Sequence, residues 1–484
     1  MTTAADKTVP LSTYRELEGK YQQVVHELQW LKRQLFGQKS ERFIPDDSQL
    51  SLDLNIPQTP QVVSEEQVSY TRHKVQKKSG HSRMDMPTNL PFDDIHLEPQ
   101  EDIGNAEKIG EEITWELEYE PGTLFVRRYI RPKYKLKNSD EIVISTLPAR
   151  PVDKGNFGPG IMSTVTTDKY LYHLPLYRQL QKFHNEFKVE FAESTFCDLI
   201  AKTVFWLEPV YMKMKEKLLE ASYLQADETP MPVLIKQKKG KTHNGYYWVY
   251  FDPLGKVALF EYKGGRSREG PNAFLKEYKG ILQVDGYAGY NDLAAKDDIT
   301  RAACMAHVRR KFDQALDYDK TTSEYALSTI GRWFDLEREA VKAELTHDQR
   351  RKKRQATMVE EFTVFRQWML DEAANHLPKS PIRKAIEYAL GQWPGFDIFL
   401  EDGRVELSNN RVENAIRPVA LGRKNYLFKG SESAAQRGAI IYSIVSTAKL
   451  HNREPREYIK HLLEKLPAEK SSNLEKYLPW NVNL

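Results

Sequence analysis

Tyr223-Leu224-Gln225-Ala226-Asp227 is echoed further along the chain by Ile281-Leu282-Gln283-Val284-Asp285, two short apolar stretches that each run into a carboxylate. Each reads as a buried strand ending in an aspartate. If the strands are neighbours, the two carboxylates approach closely, and like charges a few ångströms apart disfavour ionisation unless something positive lies between them. A divalent cation resolves that conflict, and all-oxygen ligation favours Mg²⁺ or Mn²⁺ over zinc. Around the pair, Tyr246 to Phe251 and Val257 to Tyr262 also read as strands, with a helix over Ala273 to Tyr278 before the last strand. Strands joined partly by hairpins and partly by a helix predict a mixed α/β sheet.

A third acid lies far downstream in Leu407-Ser408-Asn409-Asn410-Arg411-Val412-Glu413-Asn414-Ala415-Ile416-Arg417-Pro418. Ser408 or Asn409 is placed to cap a short helix that Pro418 ends, with Val412, Ala415, Ile416 and Val419 at helical spacing and Glu413 at the edge of that stripe. Leaning onto the sheet, Glu413 completes a three-acid site able to hold two metal ions about 4 Å apart for in-line phosphoryl displacement. The plainer alternative is a surface Glu413 paired with Arg417 at i,i+4.

Basic residues crowd the segment after that helix: Arg417, Arg423, Lys424 and Lys429 among Gly422, Gly430, Tyr426 and Phe428, a composition suited to a nucleic-acid backbone. Arg266 and Arg268, after Gly264 and Gly265, form a second candidate phosphate contact, which a surface hairpin loop explains as well. In the Cys304 to Phe312 block, His307 and Arg309 or Arg310 are expected to face the acids, while Cys304 and Phe312 pack inside. A lone C-x-x-H pair in a chain with only Cys197 and Cys304 builds neither a zinc site nor a disulfide framework. Nucleophile, Walker and dinucleotide signatures are absent.

The outer regions are plainer. The 484 residues carry 71 Lys and Arg against 68 Asp and Glu, so nucleic-acid affinity must come from local patches. Tyr14, Leu17, Tyr21, Val24, Leu28, Leu31 and Leu35 alternate three and four apart, a zipper seam that predicts self-association. A Pro, Asp, Ser and Gln-rich linker follows from Phe43, then a basic stretch between Arg72 and Arg83. Glu111 to Leu136 alternates like a β-hairpin around Trp115 and Phe125. Leu176 to Phe187 and Thr195 to Trp206, the latter capped by Ser194, have the lengths of a helix-turn-helix or of a plain helical hairpin. Tyr318 to Leu400 reads as an all-helical insertion whose run Arg350 to Arg354 is usually a solvated face. With no apolar run long enough to span a membrane and no leader pattern, a soluble cytoplasmic protein is expected.

The blocks Ala226-Asp227-Glu228-Thr229-Pro230, Asp285-Gly286-Tyr287-Ala288-Gly289-Tyr290-Asn291, Cys304-Met305-Ala306-His307-Val308-Arg309-Arg310-Lys311-Phe312, Asn409-Asn410-Arg411-Val412-Glu413 and Leu421-Gly422-Arg423-Lys424-Asn425, with Leu147 to Pro151 and His173 to Gln179 before them, resemble in content and order an insertion-sequence transposase of the IS-sixty-six family. The resemblance runs from about residue 91 to the C-terminus. It implies a DDE enzyme with a ribonuclease-H-like core, Asp227, Asp285 and Glu413 as its metal-binding triad, and Mg²⁺ or Mn²⁺ as cofactor. It also implies terminal inverted repeats and target DNA as partners, a homo-oligomer assembled through the N-terminal coiled coil, element-encoded accessory proteins, and a bacterial, nucleoid-associated location.

The expected layout is a coiled-coil helix over 1–44, a flexible basic linker over 45–90, a β-rich module over 91–155, a helical DNA-binding region over 156–222, the core over 223–316, the helical insertion over 317–400, the Glu-bearing helix and basic segment over 401–450, and a helical tail over 451–484. The family's cysteine-rich zinc module has no counterpart here, since Glu98 to Asp140 lacks cysteine, so no zinc is expected. A DNA-binding regulator without activity, or a ribonuclease-H-like nuclease unconnected with transposition, are the alternative readings.

Overall fold

The computed structural model describes residues 122–127, 129, 133–135, 142–144, 147–152 and 155–484 except Lys239 and Lys470. The zipper, the linker, the basic stretch and the Trp115 strand of the hairpin lie outside the described residues. Two compact units divide the chain; of Ile56–Ile130 only residues 122–127 and 129 are described, where Arg127 lies over the Phe125 ring. Every element below belongs to the other unit.

A small antiparallel pair, β1 (Lys133–Lys135) and β2 (Ile142–Ile144), precedes three helices, α1 (Pro159–Tyr170), α2 (Leu176–Phe187) and α3 (Glu193–Leu219). The α2 span is the one the sequence predicts. By contrast α3 starts at Glu193 behind Ala192, so Ser194 is inside the helix and caps nothing, and it runs on to Leu219 with Pro209 in its interior. Phe196, Leu199, Ile200, Val204, Leu207, Val210, Met214 and Leu218 give it a continuous buried stripe, which is why it outlasts the recognition-helix length expected for Thr195 to Trp206.

The central sheet comprises β3 (Tyr223–Leu234), β4 (Thr242–Asp252), β5 (Val257–Lys263), β6 (Gly280–Gln283) and β7 (Ile299–Ala302), in the order β5-β4-β3-β6-β7. The first three form an antiparallel meander, and β6 and β7 add in parallel to β3. The helix expected over Ala273 to Tyr278 is instead α4 (Glu269–Phe274), followed by α5 (Asn291–Ala294) between β6 and β7.

Strand β3 does not end at Asp227 but continues through Pro230 and Pro232. It pairs with β4 along nearly all its length and with β6 only over Tyr223 to Gln225. Residues of even number turn their polar backbone toward the β6 side, as the Pro232 carbonyl and Leu234 N–H show by bonding Lys429 at 2.8 and 2.9 Å. The prolines' missing donors therefore fall where no strand asks for them.

The β5 edge is closed by α13 (Glu432–Leu450). The Phe260 N–H donates to Ser443 Oγ at 2.8 Å and the Ala258 N–H to Thr447 Oγ1 at 3.1 Å, so hydroxyls of a helix stand in for a missing strand. At the other edge, α6 (Met305–Ala315) leads into α7 (Lys320–Lys342), α8 (His347–Thr357), α9 (Val359–Asn375), α10 (Pro381–Gln392) and α11 (Asp397–Glu401), helical across the stretch so expected. Phe362, Phe365, Met369, Ile382, Ala385, Ile386 and Ala389 share one core with Tyr223, Ile281 and Ala302, so this block is a continuation of the sheet's own interior. Its basic run is half structural. Arg351 and Lys352 pair with Asp348 on the surface, but Arg354 is 1% exposed and bonds Glu337 at 2.7 Å and the carbonyls of Phe399, Asp402 and Val405. Helices α12 (Asn410–Tyr426) and α14 (Pro455–Lys465) complete the unit. Among the described residues no helix is long and apolar enough to cross a membrane.

Candidate active site

The parallel pairing of β3 with β6 matches Tyr223 to Ile281, Leu224 to Leu282 and Gln225 to Gln283. The ladder ends there; Asp227 and Asp285 each follow two residues beyond it, near enough for the Asp285 charge to act on Asp227. Gly280 permits the alignment: its φ is 144°, and a Cβ there would stand 2.6 Å from the Ser222 carbonyl oxygen. One oxygen of each aspartate is fixed locally, Asp227 Oδ1 by the Glu228 N–H at 2.8 Å and Asp285 Oδ1 by the Tyr287 N–H at 2.9 Å.

The two glutamines form the floor on which the third acid is set. Gln225 Nε2 donates to Gln283 Oε1, to Glu406 Oε2 and to the Ser408 carbonyl, each at 3.1 Å, and Gln283 Nε2 donates to the Glu406 carbonyl at 2.7 Å. Gln225 Oε1 accepts the Val412 N–H at 3.3 Å, so the first turn of α12 is held directly over the strand that carries Asp227. Glu413 is the next residue. No side chain caps α12, and Pro418 lies within it rather than ending it; the carbonyl Pro418 leaves unpaired belongs to Asn414, an exposed residue that water can serve.

Two basic side chains approach Glu413 from α6. His307 Nε2 is 3.7 Å from its Oε1 and Arg310 Nη2 3.5 Å from its Oε2, beyond good hydrogen-bond length. Of the two arginines named from sequence, Arg310 is the one that reaches the acid. Burial holds the His307 imidazole below its ordinary range although Glu413 pulls the other way, which favours the neutral ring. Cys304 and Phe312 pack inside as expected, and burial pushes the Cys304 thiol up to about 12, so it stays protonated.

Asp227 is the most perturbed acid of the group. Burial raises its carboxyl well above the ordinary range, and the nearby charges of Glu228, Asp285 and Glu413 raise it further. Glu413 Oε1 is buried without a hydrogen-bond partner. An oxygen-only donor set, crowded negative charge and an orphaned acceptor are the chemistry a hard divalent ion satisfies. Among the described residues no three His, Cys, Asp or Glu side chains already stand as a finished ion cage. The acids are near enough for the charges of Asp285 and Glu413 to act on Asp227.

The remaining sequence-selected cations divide sharply. Arg266 donates through Nε to Glu228 Oε1 at 2.7 Å and again through Nη2, and its guanidinium lies 3.9 Å over the Tyr287 ring. Arg268 pairs with Asp292 at 3.2 Å. Arg423 donates to the Pro230 carbonyl, while Arg417 and Lys424 are exposed along α12 and Arg309 is half-buried on α6. Lys429 is a correction: it is 3% exposed, with its ammonium over the rings of Tyr170, Tyr426 and Tyr442, so it cannot reach a phosphate.

Glu228, Tyr287, Tyr290 and Arg301 were not picked out from the sequence. Tyr290 Oη donates to Glu228 Oε2 at 3.2 Å, and Arg301 donates to the Asp285 carbonyl at 3.0 Å, so all four steady the two aspartate segments. For Glu228, Tyr287 and Tyr290 the available signal was their place beside Asp227 and Asp285 in the quoted blocks; Arg301 lies outside those blocks.

Comparison with known proteins bears on this arrangement. A model of the Transposase IS66 family matches residues 154–437, more than half of the chain. Models described as Transposase C of IS166 homeodomain and IS66 C-terminal element match residues 23–95 and 443–480. Two relatives from Sinorhizobium fredii, the uncharacterized proteins y4hP and y4jD, are each 29% identical to this chain. The alignments cover 93% of it and 87% of y4hP, and 94% of it and 93% of y4jD. The chain belongs to the IS66 transposase family. It is therefore a DNA transposase, built on a mixed sheet with helices.

Proposed function

We propose that Asp227, Asp285 and Glu413 are the catalytic acids of a DDE enzyme that cuts DNA at the terminal inverted repeats of its own element and joins the freed end to target DNA. The observation that supports this reading is the β3–β6 ladder, which ends at Gln225 and Gln283, two residues before Asp227 and Asp285, with the turn of α12 before Glu413 bonded to that same Gln225. The strand order, an antiparallel meander extended by two parallel strands, supports reading the sheet as a ribonuclease-H-like core.

Mg²⁺ or Mn²⁺ ions held by the three acids would supply activation of the attacking oxygen and stabilisation of the leaving one. The chain's own residues prepare for this. Glu228 N–H and Tyr287 N–H orient one oxygen of each aspartate, and Glu413 is delivered with an unpartnered oxygen. Arg310 flanks Glu413 and limits its repulsion from the aspartates, and the neutral His307 ring stands on its other oxygen. In cleavage water attacks the phosphodiester and a 3′-hydroxyl leaves; in transfer that hydroxyl attacks target DNA and the 3′-hydroxyl of the target strand leaves.

Arg309, Arg310, Arg417, Arg423 and Lys424, with Arg266 and Arg268, are assigned to the DNA backbone, and the helical region 156–222 to recognition of the repeats. Self-association is assigned to Tyr14 to Leu35. The test is nicking of a labelled duplex carrying the repeats that flank the gene, with Mg²⁺ present and withheld. Metal-dependent nicking that Asp227→Ala, Asp285→Ala and Glu413→Ala each abolish, with repeat binding intact, is expected. Nicking retained by all three variants would refute the assignment.

A further inference from the structure

Helix α12 carries Glu413 in its first turn, and its outer face, Asn414, Arg417, Leu421, Lys424 and Asn425, is exposed along its whole length. That face ends in two large apolar side chains standing in water, Leu427 at 64% and Phe428 at 40% exposure. They are not on a loose loop. The Leu427 N–H donates to the Arg423 carbonyl at 2.9 Å and the Phe428 N–H to the Tyr426 carbonyl at 2.6 Å, closing a γ-turn with Leu427 at φ 60° and ψ −50°, a conformation rarely taken by residues other than glycine.

The next residue is locked. The Lys429 main chain bonds β3 on both sides, and its ammonium sits among Tyr170, Tyr426 and Tyr442 with no hydrogen-bond partner. A rigid root thus holds an apolar tip outward, beside the exposed cations Arg417 and Lys424 of the same helix.

We propose that Leu427 and Phe428 form a wedge that enters the base stack of duplex DNA lying along α12, a role that rests on the transposase reading above. Charge decides the occupant. An apolar partner protein would match the tip and meet the row of cations unfavourably, whereas duplex DNA offers phosphates to Arg417 and Lys424 and apolar base faces to the tip. Fourteen residues at about 1.5 Å each separate Glu413 from Leu427, roughly 21 Å or about 6 base pairs along the duplex. The wedge would unstack a step at that distance from the cleaved phosphate and fix the register of the end in the active site.

The test places 2-aminopurine, whose fluorescence rises on unstacking, at successive positions of a duplex carrying the flanking repeat, with the full-length chain added. A rise confined to a step about 6 base pairs from the nick is expected. Phe428→Ala and Leu427→Gly should lose it and bind about tenfold more weakly with an unchanged salt slope, whereas Lys424→Ala should lower that slope by about one. Leu427→Gly suits the backbone and should melt no lower than the unsubstituted chain, so its loss cannot be charged to misfolding. Normal nicking with flat fluorescence at every position, or a rise that survives both apolar substitutions, overturns the wedge alone. Absence of any duplex binding overturns it together with the transposase mechanism.

Discussion

Two regions of this chain bury acidic side chains, and they treat them in opposite ways. In the helical block Glu337 is 5% exposed and meets Arg350 and Arg354 at 2.7 Å, while Arg354 also donates to three backbone carbonyls. Burial alone would raise the Glu337 carboxyl, yet Arg354 and Arg350 hold it below its ordinary value. On the sheet face burial drives the Asp227 carboxyl upward, and the charges of Glu228, Asp285 and Glu413 add to that rather than oppose it. Arg266 is taken up by Glu228, and His307 and Arg310 stand back from Glu413. One region meets its buried acid with cations of its own chain and serves the fold. The other leaves a deficit of positive charge, which is what a site for a divalent cation requires.

The largest effect that could break this comparison concerns chemistry. Replacing Asp285 with Ala should reduce strand cleavage by about a thousandfold or more, the scale on which loss of a group stabilising the transition state is felt, while leaving the thermal midpoint nearly unchanged. A gel assay for cleavage beside a melting curve checks both halves. In the closed region the pattern should invert: Glu337→Gln strands Arg354 without its partner and should cost about 3–5 kcal/mol of stability, read from urea unfolding.

The pH dependence sharpens the same point. Because the Glu337 carboxyl is held below its ordinary value, its contribution is fully present above pH 4.5 and is lost as pH falls through the lowered folded value. The acid limb of the stability curve should therefore flatten in Glu337→Gln. Relieving the crowded face should do the reverse of breaking the matched one. Without metal, Asp227→Asn is expected to stabilise the fold by about 1–2 kcal/mol at neutral pH as it ends cleavage. The smallest effect belongs to the surface: Lys352→Ala, which loses an exposed partner of Asp348, should change stability by less than about 0.5 kcal/mol.

Much of this was legible in the sequence because it is local. The alternation of the strands, the span Leu176 to Phe187 and the helical periodicity from Tyr318 onward are short-range patterns, and the strand-plus-aspartate echo pointed to Asp227 and Asp285. What escaped depends on partners far away in the chain. Lys429, in a Gly-flanked basic segment, looks like a phosphate contact until Tyr170 and Tyr442 arrive from other helices to enclose it. Arg354 sits in a run of five cations, and only the return of Phe399 to Val405 shows that it is buried. Pro418 reads as a helix end, but an exposed Asn414 lets the helix continue. Strand β7, four residues long with Thr300 and Arg301 in its middle, carries too little periodicity to be seen without β6 beside it.

Direct titration of Mn²⁺ into the metal-free protein, followed by the loss of its free-ion paramagnetic resonance signal, addresses the three acids without depending on DNA. The account requires saturable binding that is lost or severely weakened in Asp227→Asn, in Asp285→Asn and in Glu413→Gln. Binding that persists undiminished in all three variants, or no binding in the unsubstituted chain, would contradict it.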